Sequence, residues 1–171
     1  DDARRHGGIR ADRQRAAGVG EPFRIRMADR GASGTAVRAH QPHAVGEEIR
    51  SSGIHWAFAP CIDIVQDARW GRTGETYGED PFLTSELVKE AIRGYQDNEN
   101  PFKKVAVSVK HLVGGGASVG GCNHASAELS ERALRSYFLP PFKAAIEAGC
   151  MTIMPGHNDI AGVAVHASKW L

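Results

Sequence analysis

The feature that most constrains this chain is a repeated order of short apolar runs and longer amphipathic stretches, with polar residues gathered just after the runs. Ile54-His55-Trp56-Ala57-Phe58-Ala59-Pro60 alternates and is rich in bulky apolar residues, which predicts a strand. Val105-Ala106-Val107-Ser108-Val109 is a β-branched run typical of a buried parallel strand, and Cys150-Met151-Thr152-Ile153-Met154 predicts a third. Between the first two, Thr84 is placed to cap a helix through about Tyr95, with Leu83, Leu87, Val88, Ala91 and Ile92 at helical spacing. Between the second and third, Ser130 caps a helix interrupted by Pro140-Pro141 and ended at Gly149. Ala44 to Arg50 reads as the last turns of an earlier helix, stopped by Ser51-Ser52-Gly53. Strand, helix, strand, helix, strand implies an α/β fold with parallel strands and right-handed crossovers.

Binding sites in such folds lie at the carboxyl ends of the strands. The polar residues fall there: Asp63 to Arg72 after the first strand, Lys110-His111 after the second, His157-Asn158-Asp159 after the third. The 171 residues fall short of a complete eight-unit barrel, which takes about 250.

Composition divides the chain near residue 45. Residues 1–50 hold ten Arg, no Lys and one aromatic, Phe23, whereas the remainder carries the bulky apolar residues. Residues 1–44 are therefore expected to be poorly structured, or not native coding sequence, as a shifted frame in GC-rich DNA would give; residues 45–171 form the folded part. The chain begins at Asp1, so a fragment is expected. Net charge is +1, which supplies no broad basic field for nucleic acid or an anionic membrane surface. No apolar run approaches a membrane span, no signal peptide is visible, and localisation and oligomeric state stay open. Three cysteines, Cys61, Cys122 and Cys150, are too few for a disulfide scaffold. Neither a cofactor nor a metal is expected: Gly114–Gly121 lacks the Gly-Lys-Ser/Thr ending of a phosphate loop and reads as a flexible loop bordering a site. The spacing of His111, Cys122 and His124 matches no usual zinc pattern.

Lys110, ending a buried strand, has four readings: a donor to a polar substrate, a Schiff-base lysine, a phosphate ligand, or an ion-pair partner of a neighbouring strand's carboxylate. His111 could be an interior histidine with both nitrogens satisfied. In Arg69-Trp70-Gly71-Arg72 an indole face and guanidinium forks suit sugars, unless Trp70 packs beneath the loop while Asp67 or Glu75 pairs an arginine. Glu79-Asp80-Pro81 reads as a brace at a helix start.

Taken in order, several stretches closely resemble the N-terminal barrel domain of family 3 glycoside hydrolases, the β-glucosidase and β-xylosidase family. They include Ala59-Pro60-Cys61-Ile62-Asp63-Ile64, Asp67-Ala68-Arg69-Trp70-Gly71-Arg72, Glu75-Thr76-Tyr77-Gly78-Glu79-Asp80-Pro81, Val109-Lys110-His111-Leu112, and Ile153-Met154 through Asn158-Asp159-Ile160-Ala161-Gly162. The resemblance implies a partial (β/α) TIM-type barrel. It implies a fragment of a retaining β-glycosidase acting on terminal β-linked glucosyl or xylosyl residues, with a β-glucoside or oligosaccharide as partner. Arg72, Lys110 and His111 fall on family residues that hydrogen-bond the sugar, and His157 stands where family members usually have a tyrosine. The family's nucleophile, an aspartate in a motif resembling Ser-Asp-Trp, and its acid/base have no counterpart here, so the chain alone is expected to be inactive. A non-catalytic carbohydrate-binding remnant and a Schiff-base lyase using Lys110 are the alternatives.

Overall fold

A computed structural model describes residues 35–96 and 100–171. Helix α1 (Thr35–Ser51) leads into the short strand β1 (Trp56–Ala57), then a long loop and helix α2 (Pro81–Gln96). Strand β2 (Ala106–Leu112) follows, then α3 (Glu131–Ala133), which runs through a π-helical turn at Leu134–Phe138 into α4 (Pro140–Glu147). Strand β3 (Thr152–Pro155) precedes a small antiparallel hairpin, β4 (Asp159–Ile160) and β5 (Val163–Ala164). The three main strands pair in parallel in the order β1-β2-β3, each neighbour reached by a helical crossover. Sequential parallel strands joined by helical crossovers are the repeating unit of a (β/α) barrel, and each half of a doubly wound sheet shares this order.

β1 is shorter than the apolar run because its pairing breaks. Trp56 and Ala57 pair with Ala106 and Val107, then Cys61 pairs with Lys110 after a one-residue slip. Pro60, which has no N–H, offers only its carbonyl, to the Lys110 N–H at 3.1 Å. The peptides Ala59–Pro60, Lys110–His111 and Leu112–Val113 are cis.

Period-two alternation divides the sheet faces. Ala57, Val105, Val107 and Val109 pack with Val88, Ile92 and Tyr95 of α2 and with Phe142 and Ala145 of α4 in one core. Ser108 and Lys110 take the opposite parity, shared by the exposed Trp56 and Phe58. Gly94 of α2 lets α1 approach, since a methyl there would lie 2.8 Å from the His43 nitrogen and 2.9 Å from the Pro42 carbonyl carbon. Among the described residues no helix is long and apolar enough to cross a membrane.

One local expectation needs correction. Thr84 does not cap α2: the helix starts at Pro81, and the Asp80 carboxylate accepts the Leu83 N–H at 2.9 Å. Asp before Pro at a first helical position is a stronger start than a threonine one turn in. The helix begun after Ser130 is interrupted at Leu139, as expected, and Pro140 and Pro141 open α4, where their absent N–H groups would be unpaired anyway. Ser130 does cap α3, accepting from the Ala133 N–H, and Gly149 follows α4 at φ +85°. α1 begins at Thr35 and crosses the compositional break; residues 1–34 lie outside the described residues.

Candidate functional site

The carboxyl end of β2 carries the most demanding side chain of the fold. Lys110 is 6% exposed, with its backbone clamped between Pro60 and Ile62: the Ile62 N–H donates to the Lys110 carbonyl at 2.7 Å. Its ammonium makes no hydrogen bond or ion pair among the described residues. Desolvation lowers its pKa below the ordinary lysine value and the Arg72 charge acts the same way, against the opposing Glu75 and Asp63 carboxylates. The ion pair to a neighbouring strand's carboxylate is not made among the described residues.

The acid buried after β1 is Asp63, whose Oδ1 has no hydrogen-bond partner among the described residues. Its Oδ2 accepts three hydrogen bonds: from the His111 backbone N–H at 3.0 Å, from His111 Nδ1 at 2.9 Å and from the Cys61 thiol at 3.1 Å. Burial pushes the Cys61 thiol pKa well up, which keeps it a donor. With its Nδ1 proton held by Asp63, His111 presents the Nε2 lone pair, and Arg72 Nη1 donates to it at 3.2 Å. The other edge of the Arg72 guanidinium forks onto Glu75, at 3.0 and 2.7 Å. The result is a relay from Asp63 through His111 and Arg72 to Glu75, beside an unpaired Lys110. His111 has both nitrogens engaged, the interior-histidine option of the sequence.

The loop after β1 is held from below. Trp70 is 2% exposed and its Nε1–H donates to Asn123 Oδ1 at 3.0 Å, so its face is not open to a sugar ring. Arg69, on the surface, forks onto Asp67 and holds that carboxyl down at about 2. The glycine-rich segment is a packing surface, contrary to the flexible loop expected. It forms two 3-10 turns, and the Gly116 carbonyl accepts the N–H groups of Gln66 and Asp67 at 2.9 and 3.3 Å. At Gly121, with φ +70°, a methyl would lie 2.9 Å from the Arg69 carbonyl carbon.

Of the four residues singled out from sequence, Arg72, Lys110 and His111 come together. His157 does not join them: it is exposed, and its ring contacts are His124 and His166. Asp63, which fixes His111, is the residue that sequence reasoning passed over, whereas Glu75, which fixes Arg72, stood among its possible arginine partners. An isolated acid within Cys61-Ile62-Asp63-Ile64-Val65 was the available signal, since a carboxylate in such a run must find donors. Cys61, Asp63 and His111 also have potential metal-ligand atoms within 4.8 Å of one another. Asp63 Oδ2 takes hydrogen bonds from Cys61 and His111, while the buried Asp63 Oδ1 has no hydrogen-bond partner among the described residues, so the trio is a hydrogen-bonded cluster with one acceptor left over.

Replacing Lys110 separates its two consequences. Its pKa is lowered in the folded chain, so the unfolded chain binds more protons between that lowered value and 10.5, and stability rises with pH across this window. Below it, the desolvation penalty is fully present. Lys110→Met is expected to raise the melting temperature at neutral pH by a few degrees and to flatten that alkaline rise, measured by calorimetric scans at several pH values.

The chain matches the model of the glycosyl hydrolase family 3 N terminal domain over residues 15–171. It is 41% identical over 131 residues to a putative beta-xylosidase of Formosa agariphila, covering 74% of this chain and 17% of that protein. It is 32% identical over 126 residues to a periplasmic beta-glucosidase of Salmonella typhimurium, covering 72% of this chain and 16% of that protein. Among solved structures, a beta-glucosidase of Listeria innocua in complex with glucose superposes with TM-score 0.75 at 35% identity, over 78% of this chain and 19% of that one. A β-glucosidase of Erythrobacter marinus gives TM-score 0.72 at 39% identity, over 75% of this chain and 18% of that one. The chain thus spans under a fifth of the length of these relatives.

Proposed function

This chain belongs to glycoside hydrolase family 3, and we propose that it supplies part of the subsite holding the terminal β-linked glucosyl, or xylosyl, residue of a retaining β-glycosidase. The observation that carries the reading is the Lys110 ammonium: desolvated at a strand end, it lacks an acceptor among the described residues and sits beside a fixed Arg72–His111 pair. Sugar hydroxyls are acceptors of the right size and polarity for its three donors, and a charged donor contributes about 1.5–3 kcal/mol per bond. Arg72 is oriented by Glu75 and His111 by Asp63, so neither must be ordered when the sugar binds. That the Listeria innocua relative holds glucose supports this class of ligand.

Retaining hydrolysis needs two carboxyls about 5 Å apart, one as nucleophile and one as acid/base. Asp63 and Glu75 are engaged by His111 and Arg72, and the residues given hold no motif resembling Ser-Asp-Trp. We therefore assign this chain binding and transition-state hydrogen bonding, and assign both catalytic carboxyls to sequence other than these 171 residues. Alone, it is expected to release no nitrophenol from an aryl β-glucoside, even in a stoichiometric burst assay free of host enzyme.

The test is calorimetric titration with glucose. Saturable binding is expected, weakened tenfold or more by Lys110→Ala; no detectable heat at millimolar glucose would count against the reading. A Schiff-base role for Lys110 is the second reading, since a desolvated lysine is more nucleophilic at neutral pH. Borohydride trapping with a carbonyl substrate would then mark Lys110, and an unmodified mass would dismiss it.

A further inference from the structure

Asp63 is only half used by its hydrogen bonds. Its Oδ1 is buried with no hydrogen-bond partner among the described residues, and the whole side chain is closed to solvent. Oδ2 is held by neutral donors: the Cys61 thiol at 3.1 Å, His111 Nδ1 at 2.9 Å and the His111 backbone N–H at 3.0 Å. Buried carboxylates are ordinarily paired with a cation or coordinate a metal ion. The Arg72 guanidinium is not that cation, because it forks onto Glu75 and donates to His111 Nε2. Ligand atoms of three kinds gather here instead. Cys61 Sγ, an Asp63 carboxylate oxygen and a His111 ring nitrogen lie within 4.8 Å of one another, and no other such group occurs among the described residues.

We propose that Cys61, Asp63 and His111 form a binding site for a thiophilic divalent ion of the zinc and cadmium class, and that the ion uncouples His111 from Arg72. Zinc lies about 2.3 Å from sulfur and about 2.0–2.2 Å from imidazole nitrogen or carboxylate oxygen, so tetrahedral ligand atoms stand roughly 3.3–3.6 Å apart. The observed contacts of 2.9 and 3.1 Å need to open by about half an ångström to admit it. Asp63 Oδ1 offers a second carboxylate oxygen to the ion. Binding releases one proton, from the Cys61 thiol to solvent, and the sulfur gives its electron pair to the ion. The His111 Nδ1 proton is exchanged through solvent for one on Nε2, as the Nδ1 lone pair turns to the ion. Thiolate and carboxylate cancel the two charges of the ion, so a group buried as an anion becomes neutral. Burial holds the thiol protonated in the ion-free chain, and a coordinated divalent ion reverses that preference. An Nε2–H then faces the Arg72 Nη1 donor 3.2 Å away; two donors share no acceptor, and the bond is lost. The His111 side chain, 13% exposed, gives the ion its entry.

The experiment is a cadmium chloride titration of the full chain, reduced and chelator-treated, carrying Cys122→Ser and Cys150→Ser so that Cys61 is its one thiol. It is followed by the ultraviolet thiolate–cadmium band, by calorimetry in two buffers and by nitrogen-15 spectra of the His111 ring. One ion bound and one proton released per chain are expected, with the ring changing from its Nδ1–H to its Nε2–H form. Cys61→Ser should abolish the band and weaken binding at least a hundredfold. Arg72→Met removes the opposing donor and should tighten binding about tenfold, because ion and Arg72 require different tautomers of His111. Circular dichroism checks that the variants fold; if Cys61→Ser does not, the tautomer change read with Cys61 intact decides. No saturable band, a ring that keeps its Nδ1–H form with the ion bound, or weaker binding in Arg72→Met would overturn the proposal.

Discussion

Asp63→Ala is expected to be the most damaging single change at the strand-end face, destabilising the chain by about 3–5 kcal/mol. It strands three buried donors at once: the His111 N–H, the His111 Nδ1–H and the Cys61 thiol. Leaving buried donors unmade costs far more than their bonds contribute net. Equilibrium denaturation should show the midpoint fall with little change in slope. Asp63→Asn is the sharper probe because it keeps the volume. All three bonds fall on one oxygen, and a neutral amide oxygen is a weaker acceptor than the charged carboxylate oxygen it replaces, so His111 is no longer held as the Nδ1–H tautomer with the same strength. Nitrogen-15 spectra of the His111 ring should therefore shift from the Nδ1-protonated pattern, and glucose affinity should fall with it. A loss below about 1 kcal/mol for Asp63→Ala, with an unchanged His111 ring, would remove Asp63 from its role as the positioning residue of this cluster.

Gly116→Ala is expected to cost about 3 kcal/mol for a different reason. A methyl at Gly116 would run into the Ile64 carbonyl oxygen, 2.9 Å from the Ile64 carbonyl carbon and 3.1 Å from the Val65 Cα. Those neighbours are backbone, so no side-chain rotation relieves the overlap. The Gly116 carbonyl also holds the Gln66 and Asp67 N–H groups, so displacing it shifts the loop that carries Trp70 and Arg72. The variant should therefore lose glucose affinity together with stability. Gly74→Ala is the matched control, because a methyl there meets nothing within 4 Å. Similar denaturation midpoints for the two variants would contradict this account of the glycine-rich segment.

What the sequence disclosed was local. Val107 and Val109 announced a strand by β-branching, and Lys110 at its end stood out because a charge there must be reconciled with burial. The option that Trp70 packs beneath its loop while Asp67 or Glu75 pairs an arginine was readable from short separations, and both acids do so. The rest depends on contacts between distant segments. Asp63 meets His111 across 48 positions, and Trp70 meets Asn123 across 53. No periodicity encodes such a meeting, because it follows from how parallel strands set neighbouring loops side by side. The glycine-rich segment misled for the same reason: glycine there answers the close approach of Ile64 and Arg69, which only the packed structure reveals. The family resemblance supplied what local patterns could not, the barrel topology, and the β1-β2-β3 order agrees with it.

The most direct test of the proposed sugar subsite is a glucose titration followed at the side chains themselves, in nitrogen-15 spectra of the Arg72 Nε–H and the His111 ring. The expected result is saturable shifts at both, with one dissociation constant that Lys110→Ala raises tenfold or more. Unmoved Arg72 and His111 resonances at saturating glucose would contradict the assignment of these residues to the sugar.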